Sequence, residues 1–260
     1  MSARTWLVLT GHSRGMGLAI AEQALDQGIS VLGISRTANE ALAQRAMPEG
    51  ASLEQWTQDL SDGQAAARRL GDWLASLAHA EVDRILLINN AAILTELAPL
   101  EQVSLDELAR STRIGLEAPM QLMQAWLNQT QQWVDAGWQG QRQILNISSG
   151  LARRAMASSG PYCAVKAGLD HLSRCVALEQ AAHPHGARVA SLAPGVIATD
   201  MQAHLRAADP SRFPDHSNFV ALEAQNMLTS PDEAGRKIWR YLNSPDFGHE
   251  VITDLRELGV

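Results

Sequence analysis

The sequence predicts an α/β protein built on a single doubly wound parallel sheet with helices on both faces. Three observations predict it. Short apolar, β-branched runs alternate with segments of helical periodicity from residue 5 onward, and that alternation implies right-handed crossovers and a sheet covered on both sides. A glycine-rich stretch, "TGHSRGMG" at 10–17, falls between the first such run and the first helical segment. The 260 residues, 46% hydrophobic and 19% charged, suffice for one large α/β domain over 1–260 with a packed core.

The elements follow in order. "TWLVLT" (5–10) predicts the first strand, and "MGLAIAEQALDQG" (16–28) a helix whose apolar spacing stops at Gly28. "SVLGIS" (30–35) is a second strand, "NEALAQRAM" (39–47) a helix, "SLEQWTQDL" (52–60) a third strand and 61–79 a long helix. "DRILLINNAA" (83–92) is the fourth strand, and its "ILLI" fits a central position buried on both sides. Helices are expected near 105–110 and 118–136, with the polar segment 129–143 extending the latter before a surface turn. Then come a strand "QILNISS" (143–149), a helix containing "PYCAVKAGLDHLS" (161–173), a strand "ARVASLAP" (187–194) and a last strand "HEVITDL" (249–255). Residues 196–230 are irregular, with Pro210 and Pro214, and read as a substrate lid that His204 and His216 would line or merely flank.

Composition narrows the function. A net charge of -7 disfavours a phosphate backbone as partner, and the pairs Arg68-Arg69 and Arg153-Arg154 read as solvated surface. The two cysteines, Cys163 and Cys175, have neither zinc-ligand spacing nor a disulfide framework, so no metal site is expected. No apolar stretch approaches the roughly 18 residues of a membrane span, and the N-terminal apolar run is too short for a signal peptide. The expectation is a cytoplasmic, unanchored protein.

Tyr162 and Lys166 stand four residues apart in a chain whose other tyrosine is Tyr241 and whose other lysine is Lys237. On a helix that spacing puts both on one face, a turn apart. A phenol keeps its proton to about pH 10, and a neighbouring ammonium is expected to lower that value by stabilising the phenolate. Ser149, at the carboxyl end of its strand, is placed where open parallel sheets bind ligands, and its hydroxyl could orient a carbonyl that Tyr162 protonates. Ser148 then faces the other way and packs.

The loop glycines Gly11, Gly15 and Gly17, with Ser13, Arg14 and Met16 between them, could seat a pyrophosphate on backbone N–H groups at a helix N-terminus. A binder of the unphosphorylated dinucleotide usually ends its second strand with an acid for the ribose hydroxyls. Here that strand runs into Arg36 with no acid before Glu40. Arg36, Arg14 and Ser35 could together hold a 2′-phosphate, so NADP(H) is expected.

Taken in order, "TGHSRGMG", "QDL" (58–60), "NNAA" (89–92), Ser149, "YCAVK" (162–166) and "PGVIATDM" (194–201) resemble the classical short-chain dehydrogenase/reductases over almost the whole chain. The resemblance implies a Rossmann-like fold with Ser149, Tyr162 and Lys166 as catalytic residues. It also implies that Asp59 and Leu60 flank the adenine, that Asn90 lies against its ribose, and that Ile197 and Thr199 touch the nicotinamide end. Tyr162 and Lys166 would contact the cofactor too, the lysine through the nicotinamide ribose. Two departures stand out: Ala92 replaces a glycine, and Gly115 in "RIGLEAPM" replaces an asparagine that in the family holds a helix kink and a proton-relay water. Glycine tolerates an irregular turn, so the relay is expected to survive, or to be shifted by a neighbour such as Arg113.

"SGPYCAVKAGLDHLSRCVALE" (159–179), "PGVIATDMQ" and "FGHEVITDLREL" (247–258) are most similar to the sepiapterin reductase and benzil reductase branch, although this chain lacks the longer glycine-rich tail usual there. That resemblance implies NADPH-dependent reduction of a small-molecule ketone, a vicinal dicarbonyl with an aromatic or pterin flank. It also implies a homodimer or homotetramer through the helices near 118–136 and 160–182. Two alternatives stay open: oxidation of a secondary alcohol by the same site, and an NADP(H)-binding sensor weakened at Gly115.

Overall fold

The computed structural model describes residues 4–259. Seven parallel strands form one sheet in the order β3-β2-β1-β4-β5-β6-β7: β1 (Arg4–Thr10), β2 (Ser30–Ser35), β3 (Leu53–Thr57), β4 (Val82–Asn89), β5 (Gln141–Ile147), β6 (Arg188–Ala193) and β7 (Ile252–Asp254). Helices α1 (Gly15–Asp26), α2 (Glu40–Ala43), α3 (Gly63–Ser76), α4 (Leu105–Thr112), α5 (Ala118–Asp135), α6 (Gly160–Ala181), α7 (Asp200–Arg206), α8 (His216–Ala224) and α9 (Pro231–Asn243) complete the fold. The Rossmann-like doubly wound sheet is the predicted class. Strand periodicity divides the core: Leu7 and Leu9 of β1 and Leu86 and Ile88 of β4 join α1 and α9 on one face, while Trp6, Val8, Ile85 and Leu87 join α3 and α5 on the other.

Several boundaries differ from the sequence expectation. α2 lasts one turn, capped where Asn39 Oδ1 accepts from Leu42 N at 2.8 Å, and no buried stripe beyond Leu42 extends it. β3 ends at Thr57, so "QDL" lies in the loop beyond it. After α5 the chain turns at Gly137, φ +96°, but Trp138 is buried and its indole N–H donates to the Val82 carbonyl. The lid segment is more regular than expected, because it contains α7 and α8. The sequence reading missed α9 altogether, although its signals are ordinary: the Ser230 hydroxyl accepts from Glu233 N at 3.1 Å, Pro231 opens the first turn, and Ala234, Ile238, Trp239 and Leu242 recur at helical spacing.

Candidate active site

The strand order reverses beside β1, whose neighbours are β2 and β4, and such a point opens a ligand crevice at the carboxyl ends of the strands. The glycine loop lies there. Gly11 and Gly15 adopt φ of +72° and +55°, which side chains disfavour. A Cβ on Gly17 would overlap the Gly11 carbonyl oxygen and stand 2.6 Å from Asn90 Nδ2. Bare backbone therefore runs into the N-terminus of the 12-residue α1, a cradle that fits a dinucleotide pyrophosphate.

Neighbouring strands brace the loop. The Thr10 hydroxyl accepts from Asn90 N and Ala91 N at 2.9 and 3.0 Å, and Asn90 Nδ2 donates to the Thr10 and Gly11 carbonyls at 3.0 and 3.2 Å. The Asn90 amide, expected against a ribose, thus supports the loop itself. Sequence reasoning also passed over His12. It is fully buried, its ring would meet a Cβ on Gly33 at 2.5 Å, and its Nε2 is 2.7 Å from Gln55 Oε1. Burial lowers its pKa, so the neutral ring donates to Gln55. Gln55 also bonds the Asn39 backbone, and Asn39 Nδ2 donates to Ser13 O at 2.9 Å. Only the missing side chain at Gly33 hinted at this staple.

The 2′-phosphate group of residues does not assemble as expected. Arg14 pairs with Asp200 at 2.6 Å, both exposed, which ties the loop to α7. The buried Ser35 donates to Thr37 O at 2.6 Å, and the Met16 side chain packs in the core. Arg36 remains exposed at the end of β2. It stands by Asp59, whose carboxyl is held below its usual range by the Ser61 backbone N–H and, more weakly, by Arg110 and Arg36. Leu60 is buried beside it. At the opposite end, Ile197 is buried and the Thr199 methyl would lie 3.3 Å from a Cβ on Gly15, which brings that segment to the loop.

The candidate reacting residues Ser149, Tyr162 and Lys166 come from just beyond the end of β5 and from α6. Ser149 leaves β5 and caps a short turn, its Oγ accepting from Leu151 N at 3.2 Å. Ser148 is buried, as expected, although β5 ends before it, at Ile147. Tyr162 and Lys166 share the buried face of α6, with Lys166 Nζ 5.7 Å from the phenol ring centroid. Nζ donates to the Ile147 carbonyl at 2.7 Å and so pins the helix to the end of β5, two residues before Ser149.

Burial, and not the lysine, is the leading influence on the phenol. Burial pushes the phenol up to about 12, against a smaller downward pull from the Ser149 hydroxyl. The same burial brings Lys166 down to about 8, with Asp170 opposing. Removing both groups from water penalises each charged form by more than the neighbours return. Asp170 is itself buried, accepting from Ser191 Oγ at 2.7 Å and pairing with Arg153 at 3.3 Å. Arg153, expected as solvated surface, also donates to Thr253 O at 3.0 Å.

A separate apolar cluster includes residues close to Ser149 and Tyr162 in sequence: Leu97, Met156, Leu205 and Phe213 are buried, with Leu94, Leu151, Cys163 and Phe219 packed against them. Phe213 and Phe219 stack at 5.5 Å, the Ser158 hydroxyl donates to Arg212 O at 2.6 Å, and Arg212 reaches Gln102 and Glu96. The histidines stand outside this cluster. His204 is exposed, and His216 bonds the Arg206 carbonyl at 2.9 Å. Between α4 and α5 a π-helical turn spans Arg113–Glu117, the irregular turn expected at Gly115. Arg113 is exposed and takes no part in the buried site. Among the described residues no cluster of metal-ligating side chains occurs, and no helix is long and apolar enough to cross a membrane.

The short chain dehydrogenase family profile matches residues 5–210. This chain belongs to that family. It is 31% identical to a benzil reductase ((S)-benzoin forming) of Bacillus cereus over 95% of this chain and 98% of that one. Its identity to the benzil reductase of Bacillus subtilis (strain 168) is 33%, over 86% and 88%. Human L-xylulose reductase is 31% identical over 75% of this chain and 72% of that one. Among solved structures, a Beutenbergia cavernae protein assigned as an NAD(P)-dependent gluconate 5-dehydrogenase, with NADP bound at low occupancy, superposes with a TM-score of 0.76 at 28% identity, covering 98% of this chain and 96% of that one. This short-chain dehydrogenase is therefore an oxidoreductase of the carbonyl reductase kind, and its cofactor is a nicotinamide dinucleotide.

Proposed function

We propose that the protein, one domain with 196–230 as its lid, is an NADP(H)-dependent reductase of vicinal dicarbonyls flanked by aromatic or pterin-like groups. The observation that carries the substrate class is the lid cluster. Leu94, Leu151, Met156, Phe213 and Phe219 form one apolar cluster with Cys163, the residue after Tyr162, and Leu151 donates its backbone N–H to Ser149 Oγ. Apolar surroundings of this kind suit an aryl ketone and offer a polyhydroxy ketone few hydrogen-bond partners. Arg36, exposed with no acid at the end of β2, supports the phosphorylated cofactor.

Gly11 to Gly17, Asn90, Thr199 and Lys166 would hold the cofactor, which when bound supplies the hydride that adds to the carbonyl carbon. Ser149 orients the carbonyl oxygen. As that oxygen gains negative charge, Tyr162 transfers its phenolic proton to it, so C=O becomes CH–OH. A phenol held up at about 12 keeps its proton at neutral pH. It can therefore give that proton to the carbonyl oxygen, and the reverse transfer would serve oxidation of an alcohol by the same site. Lys166, charged below about 8, anchors α6 and stabilises the phenolate once it has formed.

Exposed Leu105, Met120 and Leu178 on α4, α5 and α6 support a homodimer or homotetramer through those helices, and free Cys163 and Cys175 suit a reducing cytoplasm. The substrate reading is tested by NADPH consumption with benzil, 1-phenyl-1,2-propanedione and sepiapterin beside xylulose and erythrulose. The aromatic or pterin ketones are expected to give kcat/KM at least about a hundredfold higher. Equal or better turnover of the sugars would overturn it.

A further inference from the structure

The α4 to α5 segment meets α6 through two glycines. A Cβ on Gly115, in the π-turn, would collide with Val165 Cγ1, and a Cβ on Gly168 would stand 3.1 Å from Leu116 Cδ2. Each helix thus lays a branched aliphatic side chain onto the other's glycine. Val165 and Gly168 share one face of α6 at i, i+3, and Lys166 lies between them in sequence. Neither glycine has a positive φ, so what Gly115 supplies is space and not backbone freedom.

We propose that Gly115 and Val165 are a matched pair of positioning residues that sets how deeply α6 seats Tyr162 and Lys166 against Ser149 and the Ile147 carbonyl. The inference rests on the reading of Tyr162 as proton donor. The depth of α6 controls how much water reaches both groups, and burial is the leading influence on each of them. A side chain at 115 would lift α6, hydrate the phenol and lengthen the reach from Lys166 to Ile147. An asparagine at 115 would meet Val165 in the same way unless Val165 or α6 moved. Gly115 is therefore accounted for by the packing of Val165 and is by itself no reason to regard the site as weakened.

The charged groups around the pair are Asp170 on α6 itself and, beyond it, Arg153 from the turn after Ser149. Asp254 of β7 is paired with Arg256. Arg113 and Glu117 of the π-turn and Asp106 and Arg110 of α4 are exposed.

The test compares Gly115→Ala in the parent and in a Val165→Ala background. It reads kcat for ketone reduction, NADPH affinity, and the titration of Tyr162 by NMR of 13Cζ-labelled tyrosine, where Tyr241 gives the one other signal. In the parent background we expect kcat to fall at least about tenfold, NADPH affinity to change by less than about threefold, and the Tyr162 midpoint to move down. In the Val165→Ala background Gly115→Ala should change kcat by less than about threefold, with the midpoint restored. An unchanged kcat and midpoint in Gly115→Ala, or a double variant no better than it, overturns the pair. Should Gly115→Ala not fold, Val165→Ile adds one methyl at the same contact and must shift both readouts the same way; no shift overturns the proposal equally. If the parent reduces no ketone while the titration behaves as described, the functional reading fails and the pair stands.

Discussion

The two walls of the crevice are held by different physics. On the cofactor wall, Gly11, Gly17, Asn90 and His12 bring backbone within contact distance and tie it with hydrogen bonds that carry no net charge. On the catalytic wall, Lys166, Asp170 and Arg153 place charges behind a buried phenol. The first wall is intolerant of volume and the second of lost charge balance. On the proposed roles, the difference teaches that shape would fix the dinucleotide, whereas burial would set which proton is available.

Gly17→Ala should break the cofactor wall most severely. Its methyl has no room beside the Gly11 carbonyl, and an overpacking cost of about 1–3 kcal/mol corresponds to a loss of NADPH affinity of about five- to 150-fold, read by fluorescence titration. Unchanged affinity would mean that the loop is not close-packed.

Lys166→Met sharpens the other wall. Burial holds the ammonium down at about 8, from 10.5. Between those values the unfolded chain binds more protons than the folded one, so the stability governed by this site rises with pH across the window. Below about 8 the buried charge costs up to about 3 kcal/mol. The Met variant is therefore predicted to be more stable than the parent at pH 7 in urea denaturation, with the advantage shrinking as pH climbs towards 10.5. A difference independent of pH would contradict the burial argument.

Smaller effects follow at the rim. Arg36→Ala should weaken NADPH binding about tenfold and leave NADH nearly unaffected, since a guanidinium on a 2′-phosphate has no counterpart in the unphosphorylated cofactor. Equal losses for both would remove Arg36 from the cofactor preference. Asp200→Asn, at a pair exposed on both sides, should change stability by less than about 0.5 kcal/mol. A larger loss of thermal stability would show that the pair clamps the lid to the loop.

The cofactor wall was legible where local spacing decides it. Gly11, Gly15 and Gly17 announce a tight strand-to-helix loop, and Tyr162 with Lys166 announces a helix face. The staple of His12 over Gly33 was not, because it joins residues that meet only once β1, β2 and β3 pair. α8, "HSNFVALEA", buries no residue and so has no apolar stripe to read, whereas α9 carried its cap and stripe openly and was overlooked. The influence of burial on Tyr162 is hidden from the sequence for a related reason. Spacing identifies the neighbour of a phenol, but the amount of water left around it belongs to the packed fold.

The most direct test of the account is Tyr162→Phe, compared with the parent in single-turnover reduction of benzil by bound NADPH at pH 7. Loss of the proton donor predicts a rate lower by about a thousandfold or more with NADPH affinity unchanged. A variant that keeps a tenth of the parent rate would contradict Tyr162 as the acid and send the proton elsewhere.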